Sequence, residues 1–119
     1  MGGVVKDPQY TAGTTVKLAV ADTAISLGDS GNLAIIQPTT GDWAGYSATA
    51  VWIHCVTSSL YWAFGASPTT NGDVGHPFSV TDFLELKNFK NIKAAKFIRQ
   101  GASSGAIMVT PFFTDSGKP

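Results

Sequence analysis

Residues 50–65 read AVWIHCVTSSLYWAFG: two dense apolar runs, rich in β-branched and aromatic residues, joined by Thr57-Ser58-Ser59. Such runs read as two β-strands and a tight link. Each is apolar on both faces, and a strand buried on both faces needs another layer, either a second sheet or a neighbouring subunit. The spacing of turn residues extends this reading along the chain. Gly28–Asn32, Pro38–Asp42, Gly65–Pro68, Asn71–Asp73 and Gly101–Gly105 each combine residues that favour turns or tolerate positive φ.

Between the turns lie runs of strand length. Thr15–Val20 alternates, with Val16, Leu18 and Val20 on one side and Lys17 on the other. Ala24–Leu27 and Leu33–Gln37 are short runs, and Ala50–Val56 and Leu60–Gly65 form the dense pair. Phe78–Leu86 follows, with Leu84 and Leu86 opposite Glu85 and Lys87; Lys93–Gln100 and Ala106–Phe113 close the series. The pattern is that of a sandwich, jelly roll or barrel. The expectation is one all-β domain, an antiparallel β-sandwich with jelly roll among its forms, of about eight strands. A helix over Leu84–Arg99 competes with it. Lys87, Lys90, Lys93, Lys96 and Arg99 recur every third residue, and on an α-helix such steps drift by about 60° each and form no single face. Asn88 and Asn91 also weaken a helix, so Asn88–Ile92 reads as a turn or short 3₁₀ piece between strands.

The chain has 119 residues, the size of one domain, and can bury a core without disulfides or metals. Charged residues make up only 13%, against about 25% in ordinary soluble domains. Thr, Ser, Gly and Ala fill that place, as suits a turn-rich β protein or one with much surface in subunit contacts. The formal net charge is +0, so no global field steers the chain toward nucleic acid or an anionic membrane. The distribution is uneven: two lysines face five aspartates before Thr81, and six basic residues face three acidic ones from there on. These halves suit neighbouring subunits or each other. Met1–Gly13 reads as a flexible N-terminal arm, residues 14–114 as the domain and Asp115–Pro119 as a flexible tail. No signal peptide, myristoylation motif or membrane-length apolar stretch is present, so the reading is of a soluble product made in a cytoplasm.

Residue chemistry supplies no active site. His54 and Cys55 are adjacent and point to opposite faces of a strand, and their spacing fits no zinc pattern. Asp82 and Glu85, three apart, also diverge, and no nucleophile elbow or phosphate-binding loop is present. No catalytic residue, metal or cofactor is therefore expected, and Cys55 reads as a buried, inert thiol. The basic run Lys87–Arg99 is interleaved with Phe89, Ile92, Phe97 and Ile98. It reads first as a solvated edge strand guarded by lysines, then as a protein contact, and least as a nucleic-acid surface. Trp43, Trp52, Tyr61 and Trp62 suit the core or a subunit interface, or alternatively a carbohydrate-binding face on which a sugar ring stacks.

The order of elements is specific. A T-x-V-x-L-x-V strand at Thr14–Val20 precedes Ile25 and Leu27, then Val51–Val56 runs into Tyr61-Trp62-Ala63-Phe64-Gly65. Asn71-Gly72, His76-Pro77-Phe78, Asp82–Leu86 and Asn88–Ile92 follow, then Lys96-Phe97-Ile98, the Gly101–Gly105 turn and Ile107–Phe113. Over Thr15–Phe113 this resembles the small β-sandwich virion proteins of tailed bacteriophages. The resemblance implies a structural virion protein, most plausibly a capsid decoration (cement) protein binding the major capsid protein on the outer shell. It implies a homo-oligomer, commonly a trimer, and a place on the capsid surface; tail or head-fibre parts are the alternative position. Trp43–Tyr46 and the basic cluster depart from that pattern. The residues expected to work at an oligomer or capsid interface are Val4, Val5, Tyr10, Trp43, Trp52, Tyr61 and Trp62. Lys87, Lys90, Lys93, Lys96 and Arg99 would add a secondary electrostatic contact. No membrane and no nucleic-acid partner is expected.

Overall fold

A computed structural model describes residues 10–114. Nine strands and two short helices follow in order: β1 (Thr11–Ala12), β2 (Val16–Val20), β3 (Ile25–Ser26), α1 (Leu33–Ile36), β4 (Ala50–Val56), β5 (Leu60–Ala63), β6 (His76–Phe78), β7 (Phe83–Lys87), α2 (Phe89–Ala94), β8 (Lys96–Arg99) and β9 (Gly105–Phe113). They build two antiparallel sheets packed face to face, the expected all-β sandwich. One sheet has the order β1-β9-β4-β7, with β2 also on β9; the other has β3-β8-β5-β6. Strands β1 and β2 lie along the same strand, at Phe112–Phe113 and at Gly105–Val109 respectively. Counted as one interrupted edge strand, they leave eight strands in the jelly-roll order. Among the described strands only β5 and β6 are sequence neighbours that pair; apart from the β1–β2 step along β9, every other connection crosses between sheets.

The core is the inner faces of both sheets. Val51, Ile53 and Cys55 of β4, Ile107, Val109 and Phe113 of β9, Leu60 of β5 and Phe97 of β8 are all buried there. Thr57–Ser59 carries the chain from one sheet to the other instead of closing a hairpin, and Thr57 adopts φ 75° to do so. The dense run Ala50–Val56 is not buried on both faces along its length: Trp52 and His54 point away from the core and stay exposed, while Ala50 on the same face is covered by its neighbours.

Three expectations are corrected. Leu33–Gln37 is not a strand. Leu33 N–H bonds to Asp29 O and Gln37 N–H to Leu33 O, closing the α1 turn and burying Ile36. An apolar run this short has no period that separates strand from helix. Phe78–Leu86 is not one strand either. The Asp82 carboxylate accepts from Ser79 N–H at 2.8 Å, Thr81 takes φ 78°, and the turn hands the chain from β6 to β7 in the other sheet. Finally, the piece read as a turn over Asn88–Ile92 is the helix α2, which takes Lys93 and Ala94 from the expected strand. Asn88, read as weakening a helix, starts one: its side chain accepts from Lys90 N–H at 2.9 Å as an N-cap.

Candidate binding face

The outer face of the five-stranded sheet is set by register. Residues directly opposite one another in antiparallel strands share a face. His54 lies opposite Phe83 and Met108, Trp52 opposite Glu85 and Thr110, and Ala50 opposite Lys87 and Phe112. Aromatic side chains also reach their diagonal neighbours. Trp52 therefore meets Phe112 at 4.5 Å and Phe83 at 5.4 Å between ring centroids, and Phe83 meets His54 at 5.2 Å. The result is a continuous aromatic row across three strands. It is open to solvent: Trp52 is 44% exposed and Phe83 50%.

Ala50 makes a recess in that row. With a methyl group between Lys87 and Phe112, a slot of about 140 Å³ opens above it, walled by Tyr10, Trp52, Phe112, Glu85 and Lys87. The indole is fixed, because Trp52 Nε1–H donates to Glu85 Oε2 at 2.8 Å. The other carboxylate oxygen faces Lys87 Nζ at 3.8 Å in an exposed ion pair, so both charges remain available at the rim.

A second, larger concavity of about 610 Å³ lies at the end of the sandwich. Val16, Ile35, Pro38, Trp43, Pro111 and Phe113 give it apolar walls, with Asp42 the charge on its lining. Trp43 is half-buried there, stacked on Phe113 at 5.3 Å and edge-on to Tyr46 at 5.0 Å.

The residues expected at an interface are thus dispersed. Tyr10 and Trp52 come together at the slot, while Trp43 lines the separate groove. Trp62 packs against the core, stacked on Phe97 at 6.4 Å and against His76 and Phe64. Tyr61 lies under the Thr69–Val74 turn, so close to Gly72 that a side chain there would run into its ring at 2.8 Å. Val4 and Val5 lie outside the described residues. The sequence reading missed Ala50, Phe83, Glu85 and Phe112 as partners of Trp52. Their outward parity was legible, but their register was not.

The basic run is not one edge strand: of its residues, Lys87 alone lies on a strand at a sheet edge, β7. Strand β8 is interior to its sheet, between β3 and β5. Lys87 ends β7, Lys90 and Lys93 sit on α2, and Lys96 and Arg99 are half-buried in β8. Lys93 Nζ lies over the Phe89 ring at 5.0 Å, and Arg99 Nε–H donates to Gly101 O at 3.1 Å.

Among the described residues no three His, Cys, Asp or Glu side chains come together. His54 and Cys55 take opposite faces, as the strand reading requires. Cys55 is buried, its thiol directed at Ser58 O and Phe78 O, each at 3.3 Å. Burial, with the charge of Asp82 second, pushes the thiol up to about 11 and keeps it protonated. Compared with protein-family models, curated proteins and solved structures, the chain matches none.

Proposed function

We infer that the chain is a structural protein of a tailed-bacteriophage virion, a homotrimeric decoration module seated on the major capsid protein. It acts by attachment and not by catalysis. The sequence resemblance over Thr15–Phe113 supports the reading. The jelly-roll order supports it by fold-level analogy, since capsid proteins use that architecture among others. The observation that carries it is the groove in which Val16, Ile35, Trp43 and Phe113 form an apolar side beside Thr14, Thr40 and Asp42. It flanks Gly13, close to where the arm joins the sheet, and offers an extended apolar segment a place to lie. Val4 and Val5 of a neighbouring copy are the segment of suitable chemistry. Their contacts would offset the entropy lost on ordering.

The test adds purified protein, with and without residues 1–9, to undecorated shells and measures occupancy and shell melting. That truncation spares the β1 pairing. A ligand that binds only intact shells raises their melting temperature by mass action. Full-length protein should occupy and stabilise shells, and the truncated form should do so less. Equal occupancy by the truncated form removes the arm from the mechanism. Failure of the full-length form to bind, or a strict monomer at micromolar concentration in light scattering, rejects the capsid assignment or the oligomer respectively.

A further inference from the structure

We propose that the slot over Ala50 binds one neutral pyranose, the end residue or a side branch of a glycan. The inference does not rest on the virion assignment, since a neighbouring copy's arm seated in the groove beside Trp43 leaves this face free.

Three properties of the slot select that chemistry. The lining is of two types: the rings of Tyr10, Trp52 and Phe112, and the charged groups of Glu85 and Lys87 on the neighbouring strand β7. A pyranose divides in the same way. Its C–H groups form an apolar face that lies against aromatic rings, and its hydroxyls can donate to a carboxylate and accept from an ammonium group. Charge comes next. Glu85 and Lys87 bring one charge of each sign, 3.8 Å apart, to the rim. With no net charge there, the rim gives neither a uronic acid nor an amino sugar a net attraction to offset desolvation of its charge, whereas a neutral sugar has no charge to desolvate. Size is the third. The slot holds about 140 Å³, on the scale of a cavity of roughly 150 Å³ that takes one benzene ring; it is open to solvent, so it receives one face of a pyranose while the hydroxyls project beyond it.

The site is also preorganised. The Glu85 hydrogen bond and the flanking Phe112 and Phe83 rings hold the indole in place. A ligand therefore need not order it, which removes one cost of binding. Ala50 is central because any larger side chain there would occupy the recess.

The experiment is saturation-transfer NMR on the full-length protein at millimolar ligand. The probes are the neutral methyl glycosides of glucose, galactose, mannose, N-acetylglucosamine and rhamnose, with glucuronic acid and glucosamine as charged controls. At least one neutral glycoside should receive transfer at its ring C–H protons, above both charged sugars. Ala50→Leu should weaken that ligand by roughly tenfold or more, with the melting temperature used to confirm folding. Should Ala50→Leu not fold, Trp52→Ala, which removes a side chain from the solvent-facing side, must produce the same loss. No transfer to any neutral glycoside, preference for a charged one, or binding unchanged in the folded variants overturns the proposal. Self-association abolished by Trp52→Ala would assign the face to a second copy, and also overturns it. Shell occupancy reads none of these, so the two readings fail separately.

Discussion

Replacing Ile53 by Ala and, separately, its neighbour His54 by Ala tests the one-sided burial on which the open face depends. Ile53 is fully buried in β4, an interior strand flanked by β7 and β9. Truncation removes three carbons at about 0.8 kcal/mol each, roughly 2.4 kcal/mol of transfer free energy. The walls of a sandwich held on both sides relax little, so a cavity contribution adds to this within the usual range of about 2–5 kcal/mol. A loss of about 4 kcal/mol is expected. His54 is exposed, and its ring meets Phe83 edge-on at 5.2 Å, a contact worth about 0.5–1 kcal/mol. For a domain of this size 1 kcal/mol moves the melting temperature by about 4 °C. Ile53→Ala should therefore melt about 15 °C lower and His54→Ala about 2–4 °C lower. Far-ultraviolet circular dichroism melts at low protein concentration keep any self-association from contributing. Equal losses for the two variants would show that β4 is covered on both faces, and the outer face would then not be an open site.

Three further outcomes follow from local geometry. Gly105→Ala would place a methyl group 2.5 Å from Ser58 O and 2.8 Å from Leu60 Cδ2; it should destabilise by about 1–3 kcal/mol as overpacking against a backbone that cannot retreat, read in urea titrations. Asn88→Ala loses a cap worth about 1 kcal/mol and strands a side chain at φ 76°, whereas Asn88→Gly, lacking the Cβ, should be the milder variant. The Cys55 thiol is raised from 9.0 to about 11 in the folded protein, so folding favours its protonated form. Stability from this group should hold below pH 9 and decline as pH rises from there through 11, with alkylation at pH 8 slow until denaturant is added. Rapid native alkylation would contradict the burial.

The proportions of the fold were legible because strand and turn chemistry are local. Alternation at Val16–Val20 and Leu84–Lys87, the glycine- and asparagine-rich turns, and the β-branched density of Ala50–Val56 each report on their own few residues. Where two local signals competed, the sequence misled. Asn88 disfavours a helix interior yet caps a helix start, and only the Lys90 N–H within reach of its side chain decides between them. Ser79–Asp82 divides an apparent strand because a carboxylate three residues on can close a turn.

The sequence by itself determined an all-β chain, with inward and outward residues assigned along Val16–Val20 and Leu84–Lys87. It determined as well that His54 and Cys55 could not act together. Tertiary structure alone decided which strands are neighbours, because pairing in a jelly roll joins residues far apart in the chain. Phe112 reaches Trp52 across 60 positions and Glu85 across 33. Register is a long-range quantity, chosen by which inner faces pack together, and the outer face inherits it. That is why Trp52 could be named as an interface aromatic, while its exposure, the recess over Ala50 and the charged pair beside it could not be read.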